Sequence, residues 1–296
     1  MNFRGEGAAL LDRLEELALA AGREIIAVMR AGIAVEEKAD ASPVTEADRR
    51  AEAVILAGLR RSFPGIPCVA EEELSAGLLP LDLGSSFFLI DPLDGTKEFI
   101  CGRPDFTVNI ALIFDGAPVA GVVYAPAQGT IFAGRAGHAS TAQVSAGGEP
   151  FARRAIHVRS CPARPVIVAS RSHCTPETDA FIRRYPQAEI VSVGSSLKFC
   201  KVATGLADLY PRFGRTMEWD TAAGDAVLRA AGGCTFVDGQ PLVYGKRNQP
   251  DDADFANPWF VATGGDCLPD AMFADMAIGP TFATEAGANP AFVPGE

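Results

Sequence analysis

Asp91-Pro92-Leu93-Asp94-Gly95-Thr96 follows directly on the apolar run Phe87-Phe88-Leu89-Ile90, so two carboxylates leave the end of one buried strand together. Pro92 fixes one φ angle. Gly95 lets the backbone turn tightly where a helix would begin, with N–H groups open to a ligand. A plain turn with Asp94 as helix N-cap would use the same residues. Two more acidic stretches sit at comparable places. Glu71-Glu72-Glu73 ends the run Ile66–Ala70, and would also serve as a solvated loop. Asp220, in Trp219-Asp220-Thr221-Ala222-Ala223-Gly224-Asp225, follows the run Asp208–Phe213, and could merely cap the helix running to Gly232-Gly233. If the three converge they form a cluster of oxygen ligands. Such a cluster suits hard cations, and beside a phosphate the natural choice is Mg²⁺, with Mn²⁺ as substitute. Zinc is disfavoured, because His138, His157 and His173 form no H-E-x-x-H pair.

Other phosphatase chemistries fail on spelling. None of the seven cysteines has Arg six positions later, so a Cys-x₅-Arg loop is missing. An aspartyl-phosphate enzyme would carry Asp-x-Asp-Gly-Thr, whereas two residues separate Asp91 from Asp94. Both carboxylates are therefore expected to hold metal, with water as the nucleophile.

The elements that must position these groups can be read from periodicity. Leu10, Leu14, Leu17, Ala21, Ile25 and Val28 recur at helical steps and predict a long first helix ending near Gly32. Thr45-Glu46-Ala47-Asp48 has the form of a capping box, and Ala51, Val54, Ile55 and Leu59 then mark a second helix that stops before Pro64. Strand-like runs follow at 66–70, 87–90, 107–114 and 119–124, the last two joined by Asp115-Gly116 as a hairpin turn. From about residue 165 strand and helix alternate, which favours a mixed or parallel sheet covered by helices. The expected division is an N-terminal α+β domain over 1–150, a C-terminal α/β domain over 151–277 and a tail over 278–296, with the change inside 137–162.

Composition narrows the function. With 296 residues, 48% of them hydrophobic, the chain can build a large core and has room for two domains. Its net charge of −11 repels a polyanion, so a nucleic-acid polymer is an unsuitable partner, while a small anion bridged by metal ions is not. Scattered cysteines without a C-x-x-C pair predict a reduced, cytoplasmic setting. Glu6, Asp12, Glu15, Glu16 and Arg23 interrupt any signal-peptide core, and Pro118, Gly121, Pro126 and Gly129 break the longest uncharged stretch, so no membrane span is expected.

Taken together, Glu71-Glu72, Asp91 to Thr96 and Trp219-Asp220-x-x-Ala223-Gly224-Asp225 resemble the inositol monophosphatase superfamily of Mg²⁺-dependent, lithium-sensitive phosphatases, over about residues 5 to 275. Asp94-Gly95-Thr96-Lys97-Glu98-Phe99, the stretch Pro104 to Leu112, and Lys38-x-Asp40-x-Ser42-Pro43-Val44-Thr45 look most like its 3′(2′),5′-bisphosphate nucleotidases of the CysQ type. The resemblance implies an α/β fold, a layered αβαβα sandwich of the inositol monophosphatase and fructose-1,6-bisphosphatase type. It implies that Glu71, Asp91, the Leu93 carbonyl, Asp94 and Asp220 ligate two or three Mg²⁺ ions. The Gly95 and Thr96 amides would hold the phosphate, and Thr96, supported by Asp48, would orient the attacking water, with Glu72 assisting through a neighbouring water. Gly194-Ser195-Ser196 would contact the substrate, along with Glu71, Leu93, Asp94 and Asp220. Where inositol phosphatases usually carry a Glu that meets the sugar hydroxyls, this chain has Phe213 beside Arg212, which argues against a ring polyol. Arg212, Lys198 and Lys201 are candidates for a second phosphate or an adenine. The implied substrate is a small phosphorylated molecule, adenosine 3′,5′-bisphosphate, and a homodimer is compatible with the likeness. Two readings compete: an inositol- or sugar-phosphate phosphatase, and a non-catalytic protein that keeps the fold and binds an anion or metal.

Overall fold

The computed structural model describes residues 3–37, 43–169 and 175–267. The motif residues Lys38, Asp40 and Ser42, the histidine His173 and the tail over 278–296 lie outside them.

Helix α1 (Phe3–Ala31) is followed by a short antiparallel ribbon of β1 (Val35–Glu37) and β2 (Pro43–Thr45), then by α2 (Glu46–Ser62). Next come β3 (Cys68–Ala70), α3 (Glu71–Ser75), β4 (Ser86–Asp94) and α4 (Thr96–Ile100). Five strands then run in succession: β5 (Thr107–Phe114), β6 (Ala117–Ala125), β7 (Thr130–Arg135), β8 (His138–Val144) and β9 (Pro150–Ala155). With β3 and β4 they form one seven-stranded sheet in the order β3-β4-β5-β6-β7-β8-β9, antiparallel except where β3 lies parallel to β4. Asp115 and Gly116 both have positive φ, 46° and 74°, as the tight β5–β6 hairpin requires.

The second half alternates as expected: β10 (Val166–Ala169), α5 (Pro176–Ile182), β11 (Glu189–Ser192), α6 (Leu197–Ala203), β12 (Leu209–Arg212), β13 (Thr216–Met217), α7 (Glu218–Ala230) and β14 (Cys234–Val237). The chain closes with β15 (Gln240–Pro241), β16 (Ala256–Asn257) and β17 (Phe260–Thr263). A six-stranded sheet has the order β11-β10-β12-β17-β14-β15; it is mixed, with β10, β11 and β12 parallel and β17 antiparallel to β12. One sheet ends at Ala155 and the other starts at Val166.

Three apolar cores define the layers. Leu14, Ile25, Ile55 and Leu59 of α1 and α2 pack with Phe88, Ile90, Val108, Ile110 and Leu112 on one face of the large sheet. The alternate residues Phe87, Leu89, Ala111 and Ile113 face the other way and meet Phe199 of α6, Ala223 and Val227 of α7, and Tyr210 and Phe260 of the second sheet. Ile167, Leu209 and Val261 on that sheet's far face pack against Phe181 of α5. The order is helices, sheet, helices, sheet, helix, which is the expected αβαβα sandwich. Covering the large sheet on both sides explains why its strands read as unbroken apolar runs.

Helix α7 approaches the large sheet unusually closely. A Cβ at Gly121 would lie 2.7 Å from the Ala223 carbonyl oxygen, and one at Gly134 would lie 2.6 Å from the Val227 Cα. Only glycine tolerates that approach of helix to strand.

Two of the scattered cysteines meet in space. Cys161 and Cys267 are joined by a disulfide, with Cα atoms 4.7 Å apart across 106 residues of chain. The rim of the second sheet brings them together, where the Cys161 N–H also donates to Asp266 at 2.8 Å. Spacing in sequence carries no sign of such a pairing. Cys68, Cys101, Cys200 and Cys234 are free thiols.

Candidate active site

The large sheet and α7 meet at a cavity of about 290 Å³. Glu71, Asp91, Leu93, Asp94, Gly95, Thr96, Gly194, Ser195 and Asp220 all line it. Three acidic termini that are far apart in sequence therefore face one space. Each carboxylate is tethered by its own element. Along a regular strand Asp91 and Asp94, three residues apart, would point to opposite faces. A bulge prevents this: Asp91 pairs with Asn109 and Asp94 with Thr107, so β4 carries one extra residue and both side chains turn the same way. Asp91 accepts the Leu93 N–H at 3.0 Å. Asp220 caps its own helix by accepting the Met217 N–H at 2.8 Å. Glu71 opens α3 at the end of β3.

Asp48 serves as both cap and support. Its Oδ2 accepts from the Thr45 N–H (2.8 Å) and hydroxyl (2.7 Å), completing the capping box of α2, while its Oδ1 faces the Thr96 hydroxyl at 3.1 Å. The Leu93 carbonyl is also 3.1 Å from that hydroxyl. Capping and an inward-pointing carboxylate were alternatives in sequence; here they coexist, because a carboxylate has two oxygens. Asp48 is buried outside the lining and meets it at the Thr96 hydroxyl. Gly95, with φ of 93°, starts α4, and a Cβ there would be 3.0 Å from the Asp105 carbonyl oxygen.

Two of the expected residues lie outside the lining. Ser196 is 2% exposed and absent from the lining. Its N–H donates to Asp94 at 2.6 Å, and its hydroxyl lies 2.9 Å from Asp94 and 2.6 Å from the Asp220 carbonyl. The side chain thus ties β4 to α7. Glu72 is likewise outside the lining. Lys201 also lies outside the lining, and Asp225 is buried against Arg229 (2.8 Å), Thr235 (2.7 Å) and Tyr244 (3.0 Å).

Sequence reasoning missed two supports. Asn109 donates to Asp94 at 3.3 Å and to Ser196 at 2.9 Å, from the strand next to the bulge. Glu52 on α2 accepts the Glu72 and Glu73 N–H groups. A polar residue inside an apolar pattern was the available signal for both: Glu52 in the stripe of α2, and Asn109 between Val108 and Ile110.

Electrostatics set what the cavity can hold. Asp91 is pushed well above the usual carboxylate range by burial, then by Glu71, Asp94 and Asp220. Asp220 is raised to about 8 by burial, then by Asp94 and Glu71. Among the described residues no three acidic, His or Cys groups close into a tight cage; the carboxylates face one another across the cavity. Their charge and all-oxygen character fit a hard divalent cation. The raised values carry a sign. Between about 4 and about 8 the folded chain keeps protons on these groups that an unfolded chain releases, so in chelator its stability falls as pH rises through that window. Thermal unfolding in chelator should show a lower midpoint at about pH 8 than at about pH 5, and saturating Mg²⁺ should cancel the fall. A chelator midpoint that climbs over this range would contradict the charge arrangement.

The inositol monophosphatase family model matches residues 8–252. The 3′(2′),5′-bisphosphate nucleotidase CysQ of Escherichia coli O157:H7 is 43% identical over 254 residues, covering 85% of this chain and 98% of that protein. Its namesake from Salmonella typhimurium is 42% identical over 257 residues, covering 86% and 99%. Among solved structures, CysQ from Bacteroides thetaiotaomicron, a bacterial member of the inositol monophosphatase family, superimposes with a TM-score of 0.69 at 35% identity, over 86% of this chain and 97% of that one. An inositol monophosphatase from Anabaena gives a TM-score of 0.64 at 28% identity, over 87% and 91%. With the layers, the bulged acidic strand and the match along most of its length, this chain belongs to the inositol monophosphatase family.

Proposed function

We propose that the protein is a Mg²⁺-dependent 3′(2′),5′-bisphosphate nucleotidase that hydrolyses the 3′-phosphate of adenosine 3′,5′-bisphosphate to give AMP and phosphate. The observation that carries this reading is a pair of buried cations in the same cavity as the carboxylates. Lys198 (6% exposed) and Arg212 (9% exposed) both line it, and the buried Nε of Arg212 has no hydrogen-bond partner. Burial lowers the Lys198 ammonium to about 8, opposed by Asp94, so it is charged at neutral pH. A monophosphate held at the carboxylates would leave the Arg212 donor unmet. A second phosphate would satisfy it with a charge-assisted bond. Phe213 points away, into the core with Phe181 and Trp259, so no side chain at that position meets a sugar hydroxyl. The relatives described above bear the same activity in their names.

Glu71, Asp91, the Leu93 carbonyl, Asp94 and Asp220 would hold two or three Mg²⁺ ions, or Mn²⁺ in their place. When bound, the ions supply Lewis-acid activation of water and neutralise the phosphoryl and leaving-group oxygens. The chain's own residues orient the reactants. The Thr96 hydroxyl directs its single proton to Asp48 or the Leu93 carbonyl, which leaves a lone pair to accept from an incoming water. The Gly95 and Thr96 N–H groups hold the phosphate, and Gly194 and Ser195 bound the leaving side. Glu72, outside the lining, acts only by way of an intervening water.

Release of inorganic phosphate from adenosine 3′,5′-bisphosphate beside inositol 1-phosphate, with and without Mg²⁺, tests the reading. Mg²⁺-dependent release with roughly 100-fold preference for the bisphosphate in kcat/KM is expected, and Arg212→Ala should shrink that preference about tenfold through KM. Equal rates on the two substrates would remove the nucleotide assignment. Lack of any Mg²⁺-dependent release would favour a binding protein.

A further inference from the structure

Glu52 is a carboxylate where the sequence pattern calls for an apolar side chain. It is 5% exposed, on the face of α2 that also carries Asp48, Ile55 and Leu59. Its two oxygens each accept one backbone hydrogen bond, from the Glu72 N–H at 2.8 Å and the Glu73 N–H at 2.9 Å. Those groups belong to the first turn of α3, the five-residue helix whose first residue is Glu71. So short a helix does not hold its own shape in water. Arg60 of α2 also pairs with Glu73 at 2.6 Å, but Arg60 is half exposed and such pairs contribute little. Glu52 therefore supplies the main polar grip between α2 and α3. Placing a buried negative charge beside two further glutamates is unfavourable, and a leucine would fill the stripe without that cost. The two N–H groups are what the carboxylate gains.

We infer that Glu52 is a positioning residue for Glu71: it fixes the backbone of the first turn of α3 so that the Glu71 carboxylate faces Asp91 and Asp220 across the cavity. Asp48, one helical turn earlier, holds Thr96 in the same manner. A single rigid helix thus carries two acidic supports, one for the segment that supplies a cation ligand and one for the hydroxyl that orients water. The inference rests on Glu71 being a cation ligand, as proposed above.

The test is Glu52→Gln, read in two ways: Mn²⁺ binding followed by electron paramagnetic resonance without substrate, and the Mg²⁺ concentration at half-maximal phosphate release. A glutamine keeps the shape but turns one amide donor toward a backbone donor. Mn²⁺ affinity and Mg²⁺ half-saturation should weaken together by about 10- to 100-fold, the usual effect of losing an outer support of a metal ligand. The kcat at saturating Mg²⁺ should stay within about threefold, since nothing that touches the substrate has changed. Glu52→Asp, which keeps the charge but shortens the reach, should fall between glutamine and wild type, and it carries the comparison if the glutamine variant does not fold. A lower thermal midpoint with unchanged Mn²⁺ affinity would overturn the inference and leave Glu52 a packing residue. Wild-type protein that binds no Mn²⁺ would instead overturn the ligand assignment of Glu71 itself, and the two failures are told apart by measuring the wild type first.

Discussion

Asp91→Asn is expected to lower kcat/KM by about 10³-fold or more while the variant unfolds in chelator at a midpoint equal to or above that of the parent. Asp91 is 2% exposed and sits among Glu71, Asp94 and Asp220, whose charges already drive it toward the protonated state. Asparagine keeps the oxygen that accepts the Leu93 N–H, so the bulge of β4 retains its internal bond. It has no ionised form, so the folded apo chain no longer has to hold a proton that the unfolded chain would release, and a cation held there would lose a ligand that water cannot replace at the same charge. Activity and stability should therefore move in opposite directions. Steady-state rates over a Mg²⁺ series, with thermal unfolding in chelator, read both. Near-parental activity at limiting Mg²⁺ would mean that Asp91 holds no cation.

Thr96→Val should cost about 10²- to 10⁴-fold in kcat with little change in unfolding free energy, whereas Asp48→Ala should match that kinetic loss and also destabilise the fold by about 1 kcal/mol or somewhat more. The difference follows from how Asp48 divides its oxygens. One faces the Thr96 hydroxyl; the other completes the box at the start of α2, where Thr45 would lose both of its bonds to that side chain. The double variant should be no slower than either single one, since Thr96 and Asp48 act as a unit. Urea unfolding with single-turnover rates on the four proteins of the cycle checks this. Additive kinetic losses would show that Asp48 acts on the reaction by a route independent of Thr96.

Much of this arrangement is legible from the residues, for identifiable reasons. The amphipathic stripe from Leu10 to Val28 has one apolar face because α1 covers only one side of a sheet, and the capping box at Thr45 is local chemistry that does not depend on the rest of the fold. The three acidic motifs announced themselves by lying at the ends of apolar runs. What could not be read depends on pairing between distant strands. The bulge between Asp91 and Asp94 exists only relative to Asn109 and Thr107 on β5. The bonds that tie Ser196 to Asp94 and to the Asp220 carbonyl likewise exist only once β4 and α7 close around it. The strands from Thr130 to Ala155 were not separated in advance because their mixed Thr, Ser, Ala and Arg content blurs the alternation that marks a half-buried strand, and β9 is exposed along most of its length. The bridge from Cys161 to Cys267 is of the same kind, a long-range meeting with no local mark.

The contact of α7 with Gly121 and Gly134 bears on how the chain can vary. Backbone lies against backbone there, and the nearest side-chain atoms, the Cβ atoms of Ala226 and Ala230, cannot rotate away. Even one added methyl group would have to lever the whole helix outward, and Asp220, riding on its first turn, would travel with it. Two positions on strands that never touch a ligand thus set the separation between the halves of the acidic cluster. Sequence drift at those positions is confined by chemistry taking place at the far end of the helix.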